Sequence, residues 1–431
     1  MKLKIQNQPF LYISDNSSEI DSSTAFVETT QNSQYREKAK ENGATTFLHV
    51  KDLFDILDIK NLQIVGITGT NGKTTTAAAI YSLLLDLGYK AALQGTRGCF
   101  INDKRVDDKS LTTPSILHTL SNMQKACEEK CSYFVMEVSS HAIVQNRIEE
   151  LEFALKIFTN ISQDHLDFHK NMREYIKAKS SFFDDESKKL INKDDENIKF
   201  NIKNAYTYGV ENAATYKIEA YSLKNGIEAV CNFGRETFSF SSSLQGKFNL
   251  YNILAAISAV HILTKKSFAL INEALQDFAG VSGRMEVANE NPLVIVDFAH
   301  TPDGIEKVLE AMSSKDISVV FGAGGDRDRT KRPLMAKIAK RYAKKIYITS
   351  DNPRSEEPDE IIKEIVAGIS DLSNVKTNPN RKEAIFEALN ELKDKEVLMI
   401  LGKGDEDYQE IKGVKYHFSD KEIVEEYFKT K

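Results

Sequence analysis

Apolar residues in this chain come in short dense runs, each followed by a loop of small and polar residues. LQIVGI (62–67), YFVMEV (133–138) and LKIFTNI (155–161) are compact and mostly apolar. Runs of this length fit strands buried on both faces of a parallel sheet. Residues 74–88 carry helical spacing instead, and further helices are predicted at 249–263 and 268–278. Residues 226–240 alternate, which predicts an antiparallel hairpin turning at Phe233-Gly234-Arg235. A new block starts near Val281, where PLVIVDFAH, ISVVFGAGGD, KIYITSD and EVLMILGKG read as four strands separated by helical stretches. Residues 1–60 are rich in Ser and Thr, with a few strand-like pieces and a helix near 34–42. The pattern predicts an α/β protein of three domains: a short N-terminal α/β domain (1–60), a central domain with a mostly parallel sheet (61–280) and a C-terminal Rossmann-like α/β domain (281–431). Open α/β sheets bind ligands beyond the carboxyl ends of their strands, so the loops after these runs are the places to look for chemistry.

The net charge of −6 gives no electrostatic reason to expect a nucleic-acid or membrane partner. No apolar run approaches the ~18 residues needed to cross a bilayer. The N-terminal stretch lacks the apolar core of a signal peptide. Of the four cysteines only Cys127 and Cys131 are close, without zinc-ligand spacing, and they read as reduced thiols. A cytoplasmic monomer acting on small molecules is the expectation.

Two loops carry the clearest chemistry. IVGITGTNGKTTTAAAIYSLL (64–84) runs from a strand through Gly69-Thr70-Asn71-Gly72-Lys73-Thr74-Thr75 into an alanine-rich helix. Its glycines let backbone N–H groups turn toward a phosphate chain, and the helix aims its positive end at the same anion. Lys73 adds a full charge, and Thr74 is placed for Mg2+. A strict phosphate-loop motif has Gly where Ile67 stands, so this is a variant, but the strand–loop–helix context predicts a P-loop-type ATPase domain. The second loop, Asp351-Asn352-Pro353-Arg354, ends a strand-like run. Asp-Asn-Pro alone would be a turn. The arginine is either a ligand-reading guanidinium or a strand-end arginine paired with Glu356 or Glu357.

Other positions stay open on their residues alone. Glu137 is a second Mg2+ ligand or a solvated strand end. Asp164, His165, Asp167 and His169 form a metal or phosphate cluster, or a polar loop with a helix cap. Lys179 reads as a solvated lysine, and LTTP (111–114) as a helix cap.

GTNGKTTT, TTP, EVSSHA…QNR, TNISQDHLDFH, GKFNLYN, GRME and DFAHTPD, in this order, resemble the muramyl ligase superfamily of peptidoglycan synthesis, from about residue 62 onward. The resemblance implies an ATP-dependent amide ligase in which a peptide carboxylate becomes an acyl phosphate that an incoming amine displaces. It implies Lys73, His165 and a CO2-carbamylated Lys179 as catalytic groups, and two Mg2+ ions held by Thr74, Glu137, His165 and the Lys179 carbamate. Asn249, Arg284 and Asp297 match the nucleotide side, with GVSGRME as a hinge. Thr112, Thr113, Ser139, Gln145 and Arg147 match positions that grip the muramyl nucleotide, and Ser17 is the best match for a uridine contact in a divergent N-terminal region.

Asp351, Asn352, Pro353 and Arg354, with Arg327, Gly402 and Glu406, match family positions for the amino acid meso-2,6-diaminopimelate, added to UDP-N-acetylmuramoyl-L-alanyl-D-glutamate. A planar bidentate donor suits that amino acid's extra carboxylate, which lysine lacks. Asp405 stands where relatives carry His. A lysine-adding ligase, a folylpolyglutamate-type ligase and a non-catalytic ATP-binding switch are the competing readings.

Overall fold

The computed structural model describes residues 1–108 and 111–430. The chain is a mixed α/β protein with mostly parallel sheets. The largest sheet has a core of seven parallel strands in the order Tyr216–Ser222, Ala205–Gly209, Lys189–Asn192, Phe153–Phe158, Gln63–Thr68, Tyr133–Glu137 and Ala91–Gly95. Antiparallel strands extend both edges, Ile227–Phe233 with Glu236–Ser242 on one side and Gly98–Ile101 with Lys104–Asp107 on the other.

The unbroken apolar runs are explained by burial of both faces. In Tyr133–Glu137, Tyr133 and Val135 join the core under helices Lys73–Asp86 and Lys247–Thr264. Phe134 and Met136 join the opposite core with Leu117, Leu120 and Met123 of helix Ile116–Glu128. That second core also takes in Ile13, Val27 and Leu53. The small N-terminal sheet, ordered Lys2–Lys4, Tyr12–Ser14, Thr24–Glu28 and Phe47–His49, is thus seated on the large one.

A six-stranded sheet follows, ordered Glu286–Asn289, Leu293–Asp297, Glu396–Leu401, Asp316–Phe321, Ala343–Thr349 and Val375–Asn378. Only its first pair is antiparallel. Val397, Met399 and Leu401 face one core, Leu398 and Ile400 the other. The four strands expected from the sequence are its centre. The two edge strands, EVAN and VKTN, are only partly buried and lack the dense apolar signature. The predicted hairpin forms with Gly234 in its turn. The helix expected near 34–42 is shorter, with a 3-10 turn at Ser33–Tyr35 leading into Arg36–Glu41.

The carboxyl ends of the large and six-stranded sheets face each other, and polar contacts tie them. Asn71 donates to Asp303 at 2.8 Å, Gln163 to Asp328 at 3.2 Å, and Lys331 lies 3.7 Å from Asp164. Behind the facing loops of the six-stranded sheet sits a fully buried ion pair. Arg381 grips Asp420 through two bonds of 2.7 Å and donates to the carbonyls of Ser350 and Leu401 at 3.3 and 3.0 Å. Those carbonyls lie where two strands run into candidate ligand loops. Asp420→Ala leaves the guanidinium buried without its acid, and the expected cost is about 3–5 kcal/mol. A lower denaturant midpoint at unchanged slope would report it.

Candidate active site

Strand Gln63–Thr68 delivers the phosphate loop, and the loop has no room for side chains at its glycines. A Cβ on Gly69 would lie 1.9 Å from Thr159 Oγ1. Gly72 has φ +82°, and a Cβ there would meet Asn252 Oδ1 at 2.3 Å. Bonds from Thr70 N to Asn160 O (2.8 Å) and from Asn71 N to Asn160 Oδ1 (2.9 Å) fix the loop against the neighbouring strand end. The helix that starts at Lys73 then aims its free N–H groups into the cleft.

Two lysines converge on this loop. Lys73 Nζ donates to the carbonyls of Gly69 and Thr70, each at 2.8 Å. Lys179 Nζ donates to the same Gly69 carbonyl at 2.9 Å. Lys179 is not the solvated lysine that its residue type implies. Only 1% of it is exposed, while Lys177 in the same helix turn is exposed. Burial, and then the charge of Lys73, hold the Lys179 amine well below the usual lysine range. Burial lowers Lys73 as well.

Glu137 is likewise no solvated strand end. It is 2% exposed, accepts from Thr74 Oγ1 at 3.0 Å and from Thr96 N at 3.0 Å. Of the four acid and imidazole candidates after the next strand, Asp164 and His165 line the cleft. His165 lies 3.3 Å from Asp164, and burial pushes its imidazole down to about 3 despite that carboxylate. His169 turns inward to bond Ser140 at 2.9 Å, and Asp167 is exposed.

The cleft between the sheets has a volume of about 1510 Å3. On its far wall, Arg284 stacks on Phe298 at 4.2 Å and donates to Thr74 at 3.4 Å, joining the two walls. Asp297 is buried, which raises its carboxyl, and it accepts from the N–H groups of Met285 and Ala299 at 2.7 Å. Asn249 does not line the cleft. Its Oδ1 accepts from Asn252 at 3.0 Å, and Asn252 is the residue facing Gly72.

Asp351, Asn352, Arg354, Arg327, Gly402 and Glu406 all line the cleft. Arg354 does not pair with Glu356 or Glu357, which reach Arg332 at 2.8 Å and Lys412 at 3.1 Å. Its guanidinium donates to Gly325 O at 2.6 Å and lies 3.5 Å from Glu410. Arg354 has φ +51°, held by backbone bonds to Glu410 and Lys412 of 3.0 and 2.7 Å. Glycines make the approach possible. A Cβ on Gly325 would strike Pro353 O at 1.9 Å, and one on Gly402 would strike Asp351 Oδ2 at 2.5 Å. Asn352 Nδ2 donates to Glu406 at 2.9 Å.

A third cluster reaches the cleft at Thr96 and Thr112. Thr112 bonds Thr96 at 3.1 Å; Thr113 Oγ1 accepts from Ser139 N at 2.9 Å; Arg147 donates to Thr113 O at 2.9 Å and to Gln145. Ser17 is buried in the N-terminal sheet region and is not among the cleft's lining residues. Sequence reasoning missed Asp303, Lys331 and Lys403. It also missed the partner of Asp405, which is Arg97 at 3.3 Å on the facing sheet. Asp405 therefore supplies an ion pair between the two walls.

A phosphate loop facing a second polar pocket across one cleft is what an enzyme needs to activate one substrate with a nucleotide and join it to another. That is the layout of an ATP-dependent ligase. Residues 67–260 match the Mur ligase middle domain and 283–404 the Mur ligase glutamate ligase domain. The chain belongs to the Mur ligase family. It is 52% identical to the UDP-N-acetylmuramoyl-L-alanyl-D-glutamate--2,6-diaminopimelate ligase of Wolinella succinogenes, over 98% of both chains. It is 48% identical to the Helicobacter pylori protein of the same name, over 99% of both. A solved structure with that name superposes with a TM-score of 0.68 at 28% identity, covering 100% of this chain and 99% of the other. Folylpolyglutamate synthase of Mycobacterium tuberculosis shares the fold, with a TM-score of 0.66 at 14% identity over 82% of this chain and 91% of that one.

Proposed function

We propose that this ligase uses ATP to join meso-2,6-diaminopimelate to UDP-N-acetylmuramoyl-L-alanyl-D-glutamate. The observation that carries the reading is Arg354, held in the cleft by Gly325 and the strand beyond it, next to Asp351, Asn352 and Glu406. The names of the relatives support the same choice.

The chemistry follows from the layout. An oxygen of the muramyl peptide carboxylate attacks the γ-phosphorus of ATP, ADP leaves, and an acyl phosphate forms. The amine of the amino acid then adds to the acyl carbon, and the tetrahedral adduct collapses with loss of phosphate and a proton. The first step brings anions together, which Lys73, the helix N-terminus and Arg284 offset. Thr74 and Glu137 offer hard oxygen ligands, and His165 an imidazole kept neutral, so these residues fit Mg2+ with substrate phosphates completing its shell. Bound there, Mg2+ neutralises charge on the phosphates.

A neutral, buried amine is the form that reacts with CO2, so Lys179 fits a carbamate. Thr112, Thr113, Ser139, Gln145 and Arg147 would hold the muramyl nucleotide, with Ser17 at its uridine end. Arg284 and Asp297 would serve ATP, with Asn249 acting through Asn252, and Arg327 and Gly402 the amino acid. We take the domains as 1–60, 61–280 and 281–431, and the enzyme as a cytoplasmic monomer. Among the described residues no helix is long and apolar enough to cross a membrane.

Phosphate release, measured with ATP, Mg2+, the muramyl dipeptide nucleotide and one amino acid at a time, tests the reading. Dependence on meso-diaminopimelate is the expected result. Comparable turnover with L-lysine would overturn the specificity, and release independent of any amino acid would overturn the ligase reading.

A further inference from the structure

Lys403 is a buried cation that the reaction above does not use. Its side chain is fully buried, directly after strand Glu396–Leu401 and behind the amino-acid loops. Its Nζ lies 3.1 Å from Glu406 Oε2 and 3.3 Å from Asn352 Oδ1. Against the cost of burial, Lys403 and then Arg381 hold Asp351 below the usual carboxylate range. Arg381 is matched by Asp420, Arg354 lies against Glu410, and Asp405 pairs with Arg97. At this end of the cleft the acids Asp351 and Glu406 and the cation Arg327 line the wall, and Lys403 lies buried directly behind the two acids.

We propose that Lys403 sets the amino-acid selectivity of this pocket. It offsets part of the negative charge of Asp351 and Glu406 from behind, which weakens the pocket's hold on an ammonium that arrives without a carboxylate for Arg354. The inference rests on the proposed function, because it concerns how that amino-acid site tells two substrates apart. The distal end of diaminopimelate carries an ammonium and a carboxylate, and that of L-lysine an ammonium alone. A fixed positive charge behind the pocket repels an ammonium and attracts a carboxylate, at short range and away from bulk water. It therefore handicaps lysine twice, through the repulsion that lysine feels and through the attraction that it cannot use. Lys403 does not line the cleft, so it acts through Asn352, Glu406 and its charge, as a positioning residue.

The test compares wild type, Lys403→Gln and Lys403→Met. Gln keeps a donor of similar reach, and Met keeps the volume alone. For each, kcat/KM is measured with meso-diaminopimelate and with L-lysine, beside KM for ATP and the melting temperature. In both variants the ratio of diaminopimelate to lysine kcat/KM is expected to fall at least tenfold, with KM for ATP within threefold of wild type. A ratio within threefold of wild type in a folded variant overturns the proposal. So does a common fall of every constant with the melting temperature, or failure of both variants to fold, since either makes Lys403 a core ion pair. A wild-type enzyme that does not use diaminopimelate overturns the functional reading instead, and the wild-type arm separates the two failures.

Discussion

Arg354→Ala is expected to lose about ten-thousandfold in kcat/KM for meso-diaminopimelate while ATP still binds. The size of the effect comes from where the guanidinium sits. It is partly buried, fixed by Gly325 O at 2.6 Å, and its loop is held by the backbone bonds of a left-handed residue. A donor set organised in advance costs little to use when a carboxylate arrives, and leaves that carboxylate desolvated and unpaired when it is removed. Lysine presents no distal carboxylate, so the variant gains little with lysine, and the loss appears as collapsed selectivity. Initial rates with both amino acids, together with calorimetric binding of a non-hydrolysable ATP analogue, separate this from misfolding. Retained selectivity in a folded variant would sink the role given to Arg354. Arg354→Lys tests geometry against charge, because a single ammonium cannot reproduce a two-pronged donor.

How much of this was legible in the sequence depended on the distance over which each feature is encoded. The phosphate loop is local: glycines, lysine and threonine lie within a few residues between a strand and a helix, so spacing alone gives the chemistry. The parallel strands were legible because both their faces are buried, as the division of Tyr133, Phe134, Val135 and Met136 between two cores illustrates. Edge strands such as VKTN bury little and left no pattern.

Burial was the property that single residues hid best. Lys177 and Lys179 look alike in the chain, yet helix packing exposes one and buries the other. Pairing across the cleft was also hidden. Arg97 and Asp405 stand 308 positions apart, and only the approach of the two sheets makes them partners. Lys403 fell between these cases. Its place after a buried strand could be read, but the two acids that give it meaning come from the folded loops.

Lys179→Ala is expected to lower kcat by about a thousandfold, the scale on which a charge-stabilising group at a reacting phosphate is felt. The lysine has one task in the structure and a second in the proposed mechanism, and the two are separable. As an amine it supports the phosphate loop through Gly69 O, and as a carbamate it would present an anionic oxygen where a protonated lysine would repel a metal. Truncation to Ala removes both, so the loss alone does not choose between them. Rescue does. The space left by the side chain adjoins Tyr175 and the loop, and a small carboxylic acid such as acetate can return an anionic oxygen but not the lysine's hydrogen bond to Gly69. Concentration-dependent recovery of phosphate release with acetate, and none with methylamine, is the result expected of a carbamate. The opposite pattern would make Lys179 a loop support that acts as a cation or amine. A Lys179→Ala enzyme as active as wild type would remove both tasks. The low proton affinity of this buried amine sets the sign of a further check. CO2 adds to the neutral form, so activity restored by added bicarbonate to CO2-depleted enzyme should return at a lower pH than the range in which an ordinary lysine loses its proton.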